Sequence, residues 1–193
     1  MATVIVVDYD PEWPRAYGRL RDHVWPIVSD LALRVEHVGS TSVPGLASKP
    51  IIDMSIVVAC SSQIAGAIER LGAVGYEHRG DLGIEGREAF KSPPGPIRHH
   101  LYLCPEGSLG LDNQLAVRDY LRLNWDMVQA YSNLKVWLAE QFPDDIDEYV
   151  AGKSDFIQGI LRAQGFSDDR LSKIASANKI KPPSKSQDSS HAE

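Results

Sequence analysis

The hydrophobic positions change period along the chain. From Glu12 to about Ala32, Trp13, Tyr17, Leu20, Val24, Ile27 and Leu31 recur at three- and four-residue intervals, which predicts an amphipathic helix. Asp10 is placed to cap it, Pro11 suits its first turn, and Pro26 should kink or split it. Strand patterns follow at 33–38 and 51–58. The second is apolar on both faces except at Asp53 and Ser55, as expected of a strand covered on both sides. A helix starting at Ser61 or Ser62 and running to about Leu71, stopped by Gly72 and Gly75, precedes a short strand near Tyr76 to Arg79. The segment GDLGIEGREAF reads as a loop turning into a strand, and PPGPIRHHLYLC as a loop feeding a strand over 97–104.

Beyond Pro105 the spacing is helical, over about 109–124, 126–142 and 145–164. Leu111, Leu115, Tyr120 and Leu121 are core candidates in the first of these, and Met127, Tyr131, Leu134 and Leu138 in the second. A short helix is predicted within 166–179, capped by Ser167, and residues 180–193 have too little apolar surface to offset the entropy of ordering, which predicts a disordered tail. The periods together predict an α/β (α+β) fold. A mixed sheet with flanking helices occupies about 1–105 and a helical part about 106–165, forming one unit over 1–165.

Composition narrows the function classes. A chain of 193 residues with 43% hydrophobic content supports a sizeable core. The N-terminal MATVIVVDYDPEWP has no basic lead and too short an apolar run for a signal peptide or a membrane span, so a cytoplasmic location with no membrane partner is expected. With 26 acidic against 20 basic residues the net charge is −6, which argues against a nucleic-acid partner because phosphate backbones are held by clustered Lys and Arg. A local basic pocket for a small anion is compatible with that balance. Cys60 and Cys104 each close an apolar run without CxxC spacing and are predicted to be buried free thiols.

The candidate chemistry lies between the first two strands. A Gly39-Ser40 turn followed by a strand with an inward Asp53 is a sound phosphate site, since glycine lets the backbone approach and the turn's amides attract anions. Asp53 could then hold a divalent cation, Mg²⁺ or Mn²⁺, over the phosphates. Blander readings stand beside these: Gly39 to Gly45 as a purely structural connection, and Asp53 as a carboxylate paired with Lys49 or loop amides.

The stretches HVGSTSVPGLASKPIID at 37–53, HHL at 99–101, VRDYLR at 117–122, YSNLK at 131–135 and YVAGKSDFI at 149–157 resemble the GrpB family. That resemblance implies a nucleotidyltransferase-like fold, whose motif is a hydrophobic residue, Gly, Gly or Ser, a spacer, then Asp-x-Asp or Asp-x-Glu. Val38-Gly39-Ser40, the spacer Thr41 to Ile52, and Asp53 fit it. The second acid does not, because Ser55 occupies its place on the same side of the strand. Two-metal nucleotidyl transfer needs more than one carboxylate.

The resemblance also implies roles for other residues. His100 becomes an acid/base partner or co-ligand of Asp53, sharing a strand face with Tyr102 where relatives carry a second His. Thr41 joins Gly39 and Ser40 in the phosphate turn. Lys49, Arg87, Arg118, Arg122, Lys135 and Lys153 become cations for a substrate phosphate or carboxylate. Arg118 and Arg122, one helical turn apart, can address one anion or instead pair with neighbouring acids.

Three functions are therefore expected. The first is a nucleotidyltransferase-like enzyme for a nucleotide, such as a nucleoside triphosphate, or another phosphorylated or carboxylated small molecule. The second is a catalytically silent ligand-binding or accessory domain, linked to coenzyme A because family members occur joined to dephospho-CoA kinase. The third is an acyl or amide-forming transferase with His100 as base.

Overall fold

The computed structural model describes residues 3–179, with side chains to 176. Five strands, β1 (Ala32–Val38), β2 (Ile52–Val58), β3 (Glu77–His78), β4 (Glu88–Lys91) and β5 (His99–Pro105), form one mixed sheet in the order β1-β2-β5-β4-β3. β2 lies antiparallel to β1 and parallel to β5, which gives it neighbours on both edges and explains its unbroken apolar run.

Alternation sorts the side chains onto two faces. Ile52, Met54, Ile56 and Val58 of β2, with Leu101 and Leu103 of β5, pack against α1 (Trp13–Val28) and α2 (Ile64–Ala73). Asp53, Ser55 and Val57 point the other way, together with His100, Tyr102 and Cys104. That second face is covered by α3 (Leu109–Leu123), through Leu111 and Leu115. Leu121 of α3, with Val128 and Tyr131 of α4 (Trp125–Gln141), joins Ile160 of α6 (Ser154–Ala163) and the loop residues Val43 and Leu46 in a second core. α5 (Ile146–Ala151) and α7 (Asp168–Lys179) complete the helical part.

Several boundaries differ from the sequence expectation. The first helix does not split at Pro26 but passes through it as one element and stops two residues later, where a missing N–H costs one bond in the last turn. Asp10 caps a turn outside the helix, its carboxylate accepting from the Glu12 amide at 2.8 Å and its carbonyl from the Trp13 amide at 3.0 Å. The segment 145–164 is two helices, α5 and α6, with Gly152 and Lys153 between them. A Cβ at Gly152 would sit 2.3 Å from the Leu138 side chain, so the chain presses against α4 there and turns. Cys104 is buried as expected, whereas Cys60 is exposed, because β2 ends at Val58 and Cys60 lies in the turn beyond it. The predicted tail at 180–193 lies outside the described residues. Among those described, no helix is long and apolar enough to cross a membrane.

Leu101 is fully buried between β2 and the α1–α2 layer. Leu101→Ala should lower the unfolding free energy by about 2–5 kcal/mol, read by urea denaturation.

Candidate functional site

The site begins with Gly39. Its φ of 68° lies in the left-handed region, and a Cβ there would fall 2.3 Å from Oδ2 of Asp53. Only glycine lets the turn after β1 close down on the carboxylate. The Ser42 amide and hydroxyl both donate to the Gly39 carbonyl, at 3.2 and 2.6 Å, and so hold the turn. Across the parallel ladder Asp53 is the register partner of His100, and Nδ1 of His100 lies 2.9 Å from Asp53 Oδ1. That bond assigns Nδ1–H as donor and leaves Nε2 free to accept. The Asp53 side chain is 26% exposed and that of His100 48%, so the pair reaches solvent.

Two adjoining chambers meet at Asp53, sharing Gly39, Ser40, Asp53 and Lys153 in their walls. The larger, about 310 Å³, is walled by Val43, Val117, Leu121, Tyr131 and Ile157, with Arg87 and Arg118 at its polar side. The smaller, about 220 Å³, takes in Ser48, Lys49, His100, Lys135 and Tyr149. The lysine Nζ atoms stand over aromatic rings: Lys153 is 4.3 Å and Lys49 5.6 Å from the Tyr149 centroid, and Lys135 is 4.7 Å from that of Tyr131.

Burial dominates the electrostatics here. Desolvation pushes the Lys153 ammonium down to about 8, with Lys49 adding to the fall and Asp53 opposing it. Lys135 is lowered well below the usual lysine range by burial and by Lys153, and Lys49 is lowered chiefly by burial. Lys135 lies on the inward stripe of α4 with Val128, Tyr131 and Leu138, and its Nζ has no hydrogen-bond partner.

The remaining candidates are placed differently. Thr41 is fully buried, its hydroxyl 3.1 Å from Nε2 of His37, itself stacked on Tyr17. Arg118 donates to Glu36 at 2.7 Å, to the His37 carbonyl at 3.1 Å and to Asp119 at 2.7 Å. Arg122 gives two bonds to the Ser42 carbonyl, at 3.0 and 2.8 Å. The two guanidinium groups brace β1 and the turn, and both approach the Asp119 carboxylate, Arg118 at 2.7 Å and Arg122 at 3.9 Å. Arg87 lies 4.8 Å over the Tyr102 ring, with its buried Nε unpartnered. Tyr149, Ser48 and Gln114 escaped the sequence reading. The first two sit four and one residues before Lys153 and Lys49, a spacing that could have signalled them.

The donor set does not fit the two-metal centre that the fold family implies. Ser55 is fully buried and its hydroxyl donates to Gln114 Oε1 at 2.6 Å, so the position of the second acid is closed off under α3. Among the described residues no three His, Cys, Asp or Glu side chains group to hold a metal ion.

The GrpB protein family model matches residues 3–163, and the chain belongs to that family. It is 35% identical over 158 residues to a UPF0157 protein of Streptomyces coelicolor, covering 82% of each chain. With UPF0157 protein YqkA of Bacillus subtilis it shares 32% identity over 155 residues, 80% of this chain but 45% of YqkA. The chain thus spans less than half of that relative. The crystal structure of the conserved protein GrpB from Enterococcus faecalis superposes with a TM-score of 0.74 at 33% identity, over 88% of this chain and 99% of that one. A cytoplasmic RNA terminal U-transferase superposes at 0.53 with 14% identity, over 77% of this chain and 48% of that one, a likeness of fold. The fold is nucleotidyltransferase-like.

Gly39→Ala should lower stability by about 1–3 kcal/mol in urea unfolding, because the new methyl group meets both a positive φ and Asp53. The lysines give a second expectation. Folded-state values below the ordinary 10.5 mean that the folded protein binds fewer protons than the unfolded chain from about 8 up to 10.5. These lysines should therefore add stability as the pH rises from about 8 to about 10.5, and that gain should shrink in Lys153→Met.

Proposed function

We propose that this chain is a nucleotidyltransferase-like enzyme that binds a nucleotide, or another phosphorylated or carboxylated small molecule, in the two chambers beside Gly39-Ser40. The observation that carries this reading is the placement of the Asp53–His100 pair at the wall where the chambers meet, ringed by Lys49, Lys135 and Lys153. Ser40, in the wall of both chambers, offers its hydroxyl to an anion. Asp53 holds His100 with Nδ1 protonated, which leaves Nε2 as the base. Nε2 takes the proton of an acceptor hydroxyl or amine as that atom bonds to the electrophilic phosphorus or carbonyl carbon. The bond from that centre to the leaving oxygen breaks, and the lysines balance the charge that oxygen carries away.

A second reading, a ligand-binding domain without turnover, is favoured by Ser55 closed under Gln114. A relative from Mycolicibacterium paratuberculosis named dephospho-CoA kinase, 29% identical over 83% of this chain and 46% of its own length, makes dephospho-CoA a ligand to try for both readings.

The test is a thermal-shift panel of nucleoside triphosphates and dephospho-CoA on wild type and Asp53→Asn, each with and without Mg²⁺ or Mn²⁺, followed by assay of any stabilising compound for turnover with hydroxyl and amine acceptors. A ligand that binds only the folded state at a hundred times its dissociation constant adds about 2.7 kcal/mol. Stabilisation of the wild type with turnover lost in Asp53→Asn supports the enzyme. Stabilisation without turnover favours the silent domain. No stabilisation by any of these anions sinks both.

A further inference from the structure

The smaller chamber has a composition that the acid/base pair does not explain. Lys135 is 2% exposed, sits on the core stripe of α4, and lines this chamber with a buried Nζ that has no hydrogen-bond partner. For the fold alone a lysine there is unfavourable, since a buried amine or ammonium without a partner loses its hydration and gains no hydrogen bond. Lys49 arrives from the loop before β2 and Lys153 from the start of α6. The other groups that face Lys135 are Asp53 of β2, His100 of β5, Tyr149 of α5 and Tyr131 of its own helix. Three lysines thus meet a single carboxylate. A phosphate or diphosphate offers those amines two or more negative charges and several acceptor oxygens, where a monocarboxylate offers one charge and two oxygens.

The larger chamber complements this with an apolar wall of Val43, Val117, Leu121 and Ile157 and the rings of Tyr102 and Tyr131. We infer that the smaller chamber is a phosphoryl subsite, in which Lys49, Lys135 and Lys153 neutralise a phosphate or diphosphate group without a divalent cation, while the larger chamber holds the organic body. The ligand is then a phosphate ester or anhydride bent around Asp53. This rests on the function proposed above and narrows its phosphorylated-or-carboxylated ligand to a phosphorylated one.

The probes are inorganic pyrophosphate and acetate, each in EDTA, applied to the full chain, to Lys135→Met and to Lys49→Met. Pyrophosphate should raise the melting temperature of the wild type while acetate at the same concentration does not. Lys135→Met should melt higher than wild type without ligand, because the unpartnered amine is gone, and should bind pyrophosphate about tenfold or more weakly in calorimetry. A merely structural lysine would give the opposite sign in melting temperature. Lys49→Met, at a half-buried position, should weaken pyrophosphate in the same direction and supplies the readout if Lys135→Met does not fold. The subsite is overturned if pyrophosphate fails to bind in EDTA, if acetate stabilises as well, or if the lysine variants bind pyrophosphate as wild type does. Nucleotide binding that ignores both substitutions would overturn the subsite and leave the transferase standing. Pyrophosphate binding with no response to any organic phosphate would do the reverse.

Discussion

The parallel register between β2 and β5 is the constraint from which the site follows. It sets Asp53 against His100, and the same alternation sends Met54 and Leu101 into the α1–α2 layer. A slip of one residue would exchange these sets, burying a carboxylate among α1 and α2 and presenting a thioether to the chambers. The large apolar surface of Ile52, Met54, Ile56 and Val58 therefore fixes where one polar atom pair stands. Gly39 adds the second requirement, a turn with no side chain, so that the backbone can lie against the carboxylate that the register has placed.

Charge around Asp53 is distributed differently from that of a two-metal site. A two-metal site gathers carboxylates and lets cations bind between them. Here one carboxylate stands among Lys49, Lys135 and Lys153, and burial keeps all three below the ordinary lysine range. A divalent cation beside Asp53 would meet that positive field with one anionic ligand to hold it, while a phosphoryl anion would find it already arranged. The cost falls on the fold, in desolvated lysines, and is offset in part by the faces of Tyr131 and Tyr149.

Most of the sheet was legible because alternation and helical spacing are local signals. Asp53 stood out as a polar residue in a run otherwise covered on both faces, and His100 shared its parity with Tyr102 on the partner strand. Contacts between distant parts of the chain were not legible. Nothing in VRDYLR says that Arg118 turns to Glu36, 82 positions away, or that Arg122 seeks the Ser42 carbonyl. Cys60 was misplaced because the apolar run outlasts the strand by two residues and the chain turns out to solvent. Lys135 could have been noticed, since the spacing 128, 131, 135, 138 puts it on the stripe that should be apolar.

The helical part is half of the site rather than a cover for it. The sheet and its turn supply Asp53, His100 and Ser40, whereas Lys135 and Lys153 come from α4 and the start of α6, and Lys49 from a loop tied to α4 through the Ala47 amide and the Ser132 hydroxyl at 3.1 Å. Neither half holds both signs of charge in the needed arrangement. Two arginines of α3 help to join them: Arg118 bridges α3 to β1 through Glu36, and Arg122 bridges it to the turn through Ser42. The side chains of Arg118 and Glu36 are 11% and 22% exposed, so their attraction is screened far less than that of a surface pair. These bonds tie the turn and β1 to the helix that walls the larger chamber.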